Sequence, residues 1–91
     1  MENHICRMAA LRIRFRISQA ELAKAAGVSR QLISQIEIDR GRQSKGHEAM
    51  VRRAFSSIIT TRRAELDALT HDLDSIPWLF SSSEKEGEDE S

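Results

Sequence analysis

Four residues of one short segment, Arg30, Gln31, Ser34 and Gln35, carry side chains suited to reading a flat polar edge. On a helix they fall within about half a turn of one another, since each residue advances roughly 100°. An arginine offers two parallel N–H donors and a glutamine one donor beside one acceptor. Those patterns match guanine O6 and N7 and adenine N6 and N7 in the major groove of DNA. Ser29 immediately before them is an N-cap residue type, and Ile33 and Ile36 follow it at i+4 and i+7. The polar set and the apolar pair therefore occupy opposite faces. Arg30 and Gln31 lie in the first turn, the end by which a reading helix enters a groove.

A helix so exposed must be braced by neighbours, and the preceding residues supply one. Ser18 can accept from the backbone N–H of Glu21 while the Glu21 side chain reaches back, a capping box. Leu22, Ala23 and Ala26 then form a narrow apolar face of small residues that admits a close helix, with Lys24 pointing away. Gly27 stands where this helix must stop, free to take a left-handed conformation, and Val28 drops behind the turn. Residues 18–41, SQAELAKAAGVSRQLISQIEIDRG, thus read as a helix-turn-helix. The competing reading is a pair of packed helices in some other all-helical domain.

Ser18, Gln19, Leu22, Ala23, Gly27, Val28, Ser29, Ile33, Ser34, Ile36 and Glu37 stand in the order and spacing of the DNA-binding domains of lambda-type phage repressors and Cro, and the segment resembles that family. The resemblance implies that Arg30, Gln31 and Gln35 face base edges and that Ser34 is shared between base and backbone. It implies phosphate contacts from Gln19 and Ser29 at the two helix starts, and a structural Glu37 that holds the end of the second helix through local hydrogen bonds. Two departures alter the expectation. Ile38, Asp39 and Arg40 separate Glu37 from Gly41, which calls for a longer second helix or a rebuilt exit loop. Arg16 occupies a turn position where the family often has Gly or Asn.

Upstream, Ile5, Met8, Ala9, Leu11, Arg12 and Phe15 form one stripe, predicting a first helix over roughly residues 4–15 that closes over the helix-turn-helix. Arg7, Arg14 and Arg16 fall off the stripe. Arg14 and Arg16 are phosphate candidates by family resemblance, balanced evenly against a solvated basic face. Downstream, residues 40–47, RGRQSKGH, read as a polar loop in which Arg40, Arg42 and Lys45 each can neutralise a phosphate.

The 91 residues sum to zero formal charge, but the charge is segregated. Residues 7–63 hold thirteen Lys and Arg against four acidic residues, a net of +9, and residues 65–91 hold nine acidic residues against Lys85, a net of −8. That asymmetry points to a nucleic-acid-binding part followed by an acidic one. A single Cys6 excludes an internal disulfide and suits a reducing cytoplasm. No apolar run approaches a membrane span or an export signal. His4, His47, His71 and Cys6 are too scattered in sequence to suggest a metal site. Neither a phosphate-cradling glycine loop nor a nucleophile elbow is present, so the reading is a non-enzyme with no cofactor.

From Glu48 to Ile76 the chain is helix-prone. Val51, Phe55, Ile58, Arg62, Leu66, Leu69, Leu73 and Ile76 step by threes and fours, close to a heptad seam that a second copy would cover. Residues 56–61, SSIITT, are the weakest helical stretch, leaving one helix or two open. Pro77 ends it, and Trp78, Leu79 and Phe80 should dock somewhere rather than stay in water. Residues 84–91 lack the apolar content to order themselves.

The expectation is therefore an all-α chain, a lambda-repressor-like helix-turn-helix bundle followed by a long dimerisation helix or two helices. Its parts are a DNA-binding part over 1–45, a dimerisation part over 46–80 including Trp78, Leu79 and Phe80, and a tail over 81–91. It should act in the cytoplasm as a homodimeric, sequence-specific regulator, a repressor by family resemblance, on a near-palindromic operator of a phage, plasmid or restriction system. The alternative is an antitoxin or adaptor whose C-terminal part binds a partner protein while the helix-turn-helix autoregulates.

Overall fold

The computed structural model describes residues 5–82, which fold into helices α1 (Arg7–Arg14), α2 (Gln19–Ala26), α3 (Arg30–Ile38) and α4 (Lys45–Ser75), with a 3-10 turn at Arg40–Arg42. No strand occurs among the described residues. The chain divides into two compact units, Met1–Thr61 and Arg62–Ser91. The acidic stretch 84–91 lies outside the described residues.

The core of the first unit is built from Ile17, Leu22, Ala23, Ile33, Val51, Ala54 and Ile58. Leu22 and Ile33 are fully buried, and each sits on the apolar face that its helix pattern predicts. Truncating either to alanine removes a side chain worth about 2–5 kcal/mol in a closed core. Val51 and Ile58 were expected in a seam between two copies; instead they are buried in the chain's own core. The reason is shortage. Two eight-residue helices and one of nine present few large apolar side chains, so the first half of α4 is needed to cover α2 and α3. Phe55 is half-buried against the same cluster.

Two helix ends close by the same device. At Gly27, φ is +75°, with Gly27 N–H donating to Lys24 O (3.2 Å) and Val28 N–H to Ala23 O (3.0 Å). At Arg16, φ is +57°, with Arg16 N–H donating to Ile13 O (3.1 Å) and Ile17 N–H to Arg12 O (2.8 Å). Both are Schellman closures. Glycine takes the left-handed backbone without penalty, whereas a residue with a Cβ does so at a cost of about 1 kcal/mol. At residue 16 the left-handed turn is thus made by an arginine.

The first helix differs from its expected stripe. It begins at Arg7 with Cys6 at the N-cap, so Ile5 is not part of it. Ala9 is buried and Met8 and Arg12 are half-buried, while Leu11 and Phe15 are exposed. The Arg14 guanidinium lies over the Phe15 ring at 5.3 Å.

After α3, the exit is rebuilt rather than the helix lengthened by a turn. Asp39 Oδ1 accepts from Gly41 N–H (2.8 Å) and starts the 3-10 turn, and Gln43 Nε2 donates to Ile36 O (2.8 Å) at the end of α3. His47 Nδ1–H donates to Arg42 O at 2.6 Å. Ser44 then caps α4, its hydroxyl accepting from His47 N–H (3.1 Å). The helix runs unbroken through SSIITT to Ser75.

In the second unit, Leu66, Leu69, Leu73 and Ile76 are 42–60% exposed. Trp78 and Phe80 pack edge to face with centroids 5.3 Å apart, and Phe80 remains 82% exposed.

Candidate nucleic-acid interface

Serine caps set both helices of the reading motif. Ser18 Oγ accepts from Glu21 N–H at 2.9 Å and Ser29 Oγ from Leu32 N–H at 3.0 Å, each contributing about 1 kcal/mol to its helix start. Ile33 and Ile36 are buried, which fixes the rotation of α3 about its axis. Arg30 and Gln31 are consequently exposed, and Ser34 and Gln35 half-buried. The four residues expected to read bases share the outward side of α3.

A polar chain that sequence spacing did not disclose ties this face to α1. Arg12 Nε donates to Glu37 Oε2 at 2.7 Å and Arg12 Nη2 to Glu37 Oε1 at 3.2 Å. A third donor of the same guanidinium, Nη1, reaches Ile17 O at 3.1 Å. Gln19 Nε2 also donates to Glu37 Oε1 (2.9 Å), and Gln19 Oε1 accepts from Arg30 Nη1 (3.1 Å). The Arg12 and Glu37 side chains are only 13% and 6% exposed. Glu37 is structural as expected, but its partners lie on α1 and α2 rather than within its own helix. Gln19, expected only at a phosphate, also positions Arg30. One of its two amide hydrogens stays available beyond the bond to Glu37. A half-buried arginine on an otherwise apolar helical stripe was the one available signal, since such a residue needs an acid partner.

The other expected phosphate contacts stand at the end of α1, at the start of α3, on the 3-10 turn and at the start of α4. Arg14 is exposed beside Phe15, and Arg16 occupies the left-handed turn. Ser29 is exposed and spends its hydroxyl as an acceptor, which leaves its O–H to donate. Arg40 and Arg42 stand on the 3-10 turn, with Arg42 Nε 3.7 Å from Asp39 Oδ2, and Lys45 opens α4. All three are exposed.

Two capped helices, a left-handed glycine between them, and a polar face on the second are the geometry of a groove-reading motif. Residues 8–46 match the helix-turn-helix family. The match spans α1, the helix-turn-helix and the rebuilt exit, and ends at the start of α4. Helix-turn-helix domains of this kind bind double-stranded DNA and regulate transcription, and this is the activity that the match supports for the chain. The chain has no significant match among curated proteins or solved structures. No helix among the described residues is long and apolar enough to cross a membrane.

Proposed function

We propose that this chain is a dimeric, sequence-specific repressor that binds a near-palindromic operator, with Arg30, Gln31, Ser34 and Gln35 reading bases. Arg14, Arg16, Gln19, Ser29, Arg40, Arg42 and Lys45 position it on phosphates. The observation that carries the reading is the face of α3: its apolar side is buried, and Arg30 and Gln31 stand exposed at its N-terminal turn. The net positive charge of residues 7–63 supports it.

The dimer is supported by the stripe of the second unit. Leu66, Leu69, Leu73 and Ile76 each keep about half their surface, worth roughly 1 kcal/mol apiece when covered, or about 8 kcal/mol for two copies. Association costs about 4–15 kcal/mol, so the stripe alone is marginal and Trp78, Leu79 and Phe80 must add to it. A two-fold pair places its reading helices about one DNA turn, ~34 Å, or a multiple apart. Such an arrangement suits control of a phage, plasmid or restriction system. The exposed Trp78–Phe80 pair also favours a second reading, an antitoxin or adaptor that holds a partner protein there; stoichiometric co-purification of that protein would mark it.

The test is a footprint on the DNA flanking the gene, followed by titration of variants. Arg30→Ala should lose about 1–3 kcal/mol on the operator and little on random duplex. Arg42→Ala should weaken both and lower the salt slope by about 0.9. Equal losses on both DNAs for Arg30→Ala would refute base reading by α3.

A further inference from the structure

We propose that two copies of the second unit pair their exposed stripes in parallel and in register. This inference rests on the dimer reading above and adds the orientation of the pair. Written in heptads, Leu66 and Leu73 take position a, Leu69 and Ile76 take d, Glu65 and Asp72 take g, and Arg63 and Thr70 take e. The four core positions are the residues left 42–60% exposed in the single chain. Arg62, the preceding d position, is half-buried and engaged within the chain, so the seam begins at Leu66.

The flanks decide the direction. In an antiparallel pair, a faces d of the second copy, and g faces g. The g residues that flank this stripe are Glu65 and Asp72. Setting Leu66 on Leu69 of the second copy puts Glu65 against Asp72 twice. Sliding by one heptad, Leu66 on Ile76 and Leu69 on Leu73, keeps all four layers and puts Asp72 on Asp72. Every register that covers Leu66 and Leu69 with the stripe of the second copy therefore opposes acid to acid, whereas setting Leu73 on Ile76 leaves both of them uncovered; in none does Arg63 meet an acid, because e faces e. Like charges so placed oppose pairing.

A parallel pair sets g against e of the following heptad instead, so Glu65 faces Thr70 of the second copy, and the e position that would face Asp72 falls at Pro77, past the end of α4 at Ser75. No like charges meet. Thr70 Oγ1 donates to Leu66 O of its own helix at 2.9 Å, so it brings neither a charge nor an unpaired donor to that flank. The a and d layers then stack like on like: Leu66, Leu69, Leu73 and Ile76 each meet their own copy. Ile76 ends the stripe, and the Trp78–Phe80 pair follows it in both chains.

The experiment uses the full chain with Cys6→Ser, which removes the native thiol, and adds Ile76→Cys. Sedimentation of the reduced protein reads the oligomeric state, and oxidation in a glutathione buffer reads the orientation. In parallel, the two thiols share one layer and a disulfide forms, doubling the mass of most of the chain. In the antiparallel registers that cover Leu66 and Leu69, position 76 faces 59 or 66 of the second copy, ten residues or more from its own counterpart. That is at least about 15 Å along the helix, too far for a disulfide, whose Cα atoms lie within about 7 Å. Leu73→Cys, inside the helix, is a second reporter and should link to itself as well, with circular dichroism checking that both variants stay helical. A dimer that links Ile76→Cys to itself supports the proposal. A dimer without that link overturns the parallel pairing but not the dimer, and a link between Ile76→Cys and Leu66→Cys or Ile59→Cys in a mixture names the antiparallel register. A monomer at every concentration overturns the dimer reading itself.

Discussion

Replacing Glu37 with Gln removes one charge and almost no volume, which isolates the electrostatic role of the pair with Arg12. The carboxylate accepts three hydrogen bonds, from Arg12 Nε, Arg12 Nη2 and Gln19 Nε2, at 2.7–3.2 Å. An amide has one oxygen, so at least one of these donors meets an N–H₂ group instead. The Arg12 charge then sits at 13% exposure without a counter-ion. Breaking one partner of a buried pair costs about 3–5 kcal/mol, and the retained oxygen keeps the expected loss near 3 kcal/mol. For a small domain that corresponds to a fall in Tm of about 12–24 °C. Urea unfolding followed by far-ultraviolet circular dichroism is the appropriate assay, because the lone Trp78 lies exposed in the second unit. Arg12→Met combined with Glu37→Met should recover part of the loss, giving a coupling of about 1–3 kcal/mol. A Glu37→Gln chain within about 1 kcal/mol of the parent would mean that water solvates the pair, and the reasoning would fail.

Two local predictions accompany it. Arg16→Gly should gain up to about 1 kcal/mol by relieving the left-handed backbone at φ +57°, read as a higher urea midpoint with an unchanged slope; a lower midpoint would mean that the arginine's own interactions outweigh the strain. Cys6→Ser should gain about 0.5–1 kcal/mol, since Cys6 sits at the N-cap of α1 with extended backbone and no side-chain cap bond, whereas a serine hydroxyl there can accept from the first-turn N–H groups. An unchanged midpoint for that variant would place the hydroxyl outside capping geometry.

The helix-turn-helix was legible because its signals are local. Ser18 and Ser29 cap at i+3, and Gly27 takes the only backbone that ends α2 there. What lay far apart in sequence was not legible. The Arg12–Glu37 pair spans 25 positions, and neither residue alone names the other. Helix α4 starts three residues before the helix-prone stretch at Glu48, with Ser44 as its cap, because Gly46 in its first turn reads as loop. The periodicity of the stripe runs past the open seam for a related reason. Val51 and Ile58 share the periodicity of Leu66 and Leu73, and only the packed core separates the residues that the chain buries from those it leaves open.

The hydrogen-bond chain through Gln19 also has a polarity, and that polarity limits how the reading face can change. Glu37 has only lone pairs to offer, so the Gln19 amide must turn its nitrogen inward and its carbonyl oxygen toward position 30. Whatever stands at position 30 is therefore held only if it can donate. Arginine, lysine, glutamine or asparagine can each accept the same restraint, while aspartate or glutamate would confront an oxygen. Variants that seek a new operator through residue 30 can thus exchange one donor for another, but an acid, the side-chain type that reads the cytosine amino group, would first require the Glu37 anchor to be rebuilt.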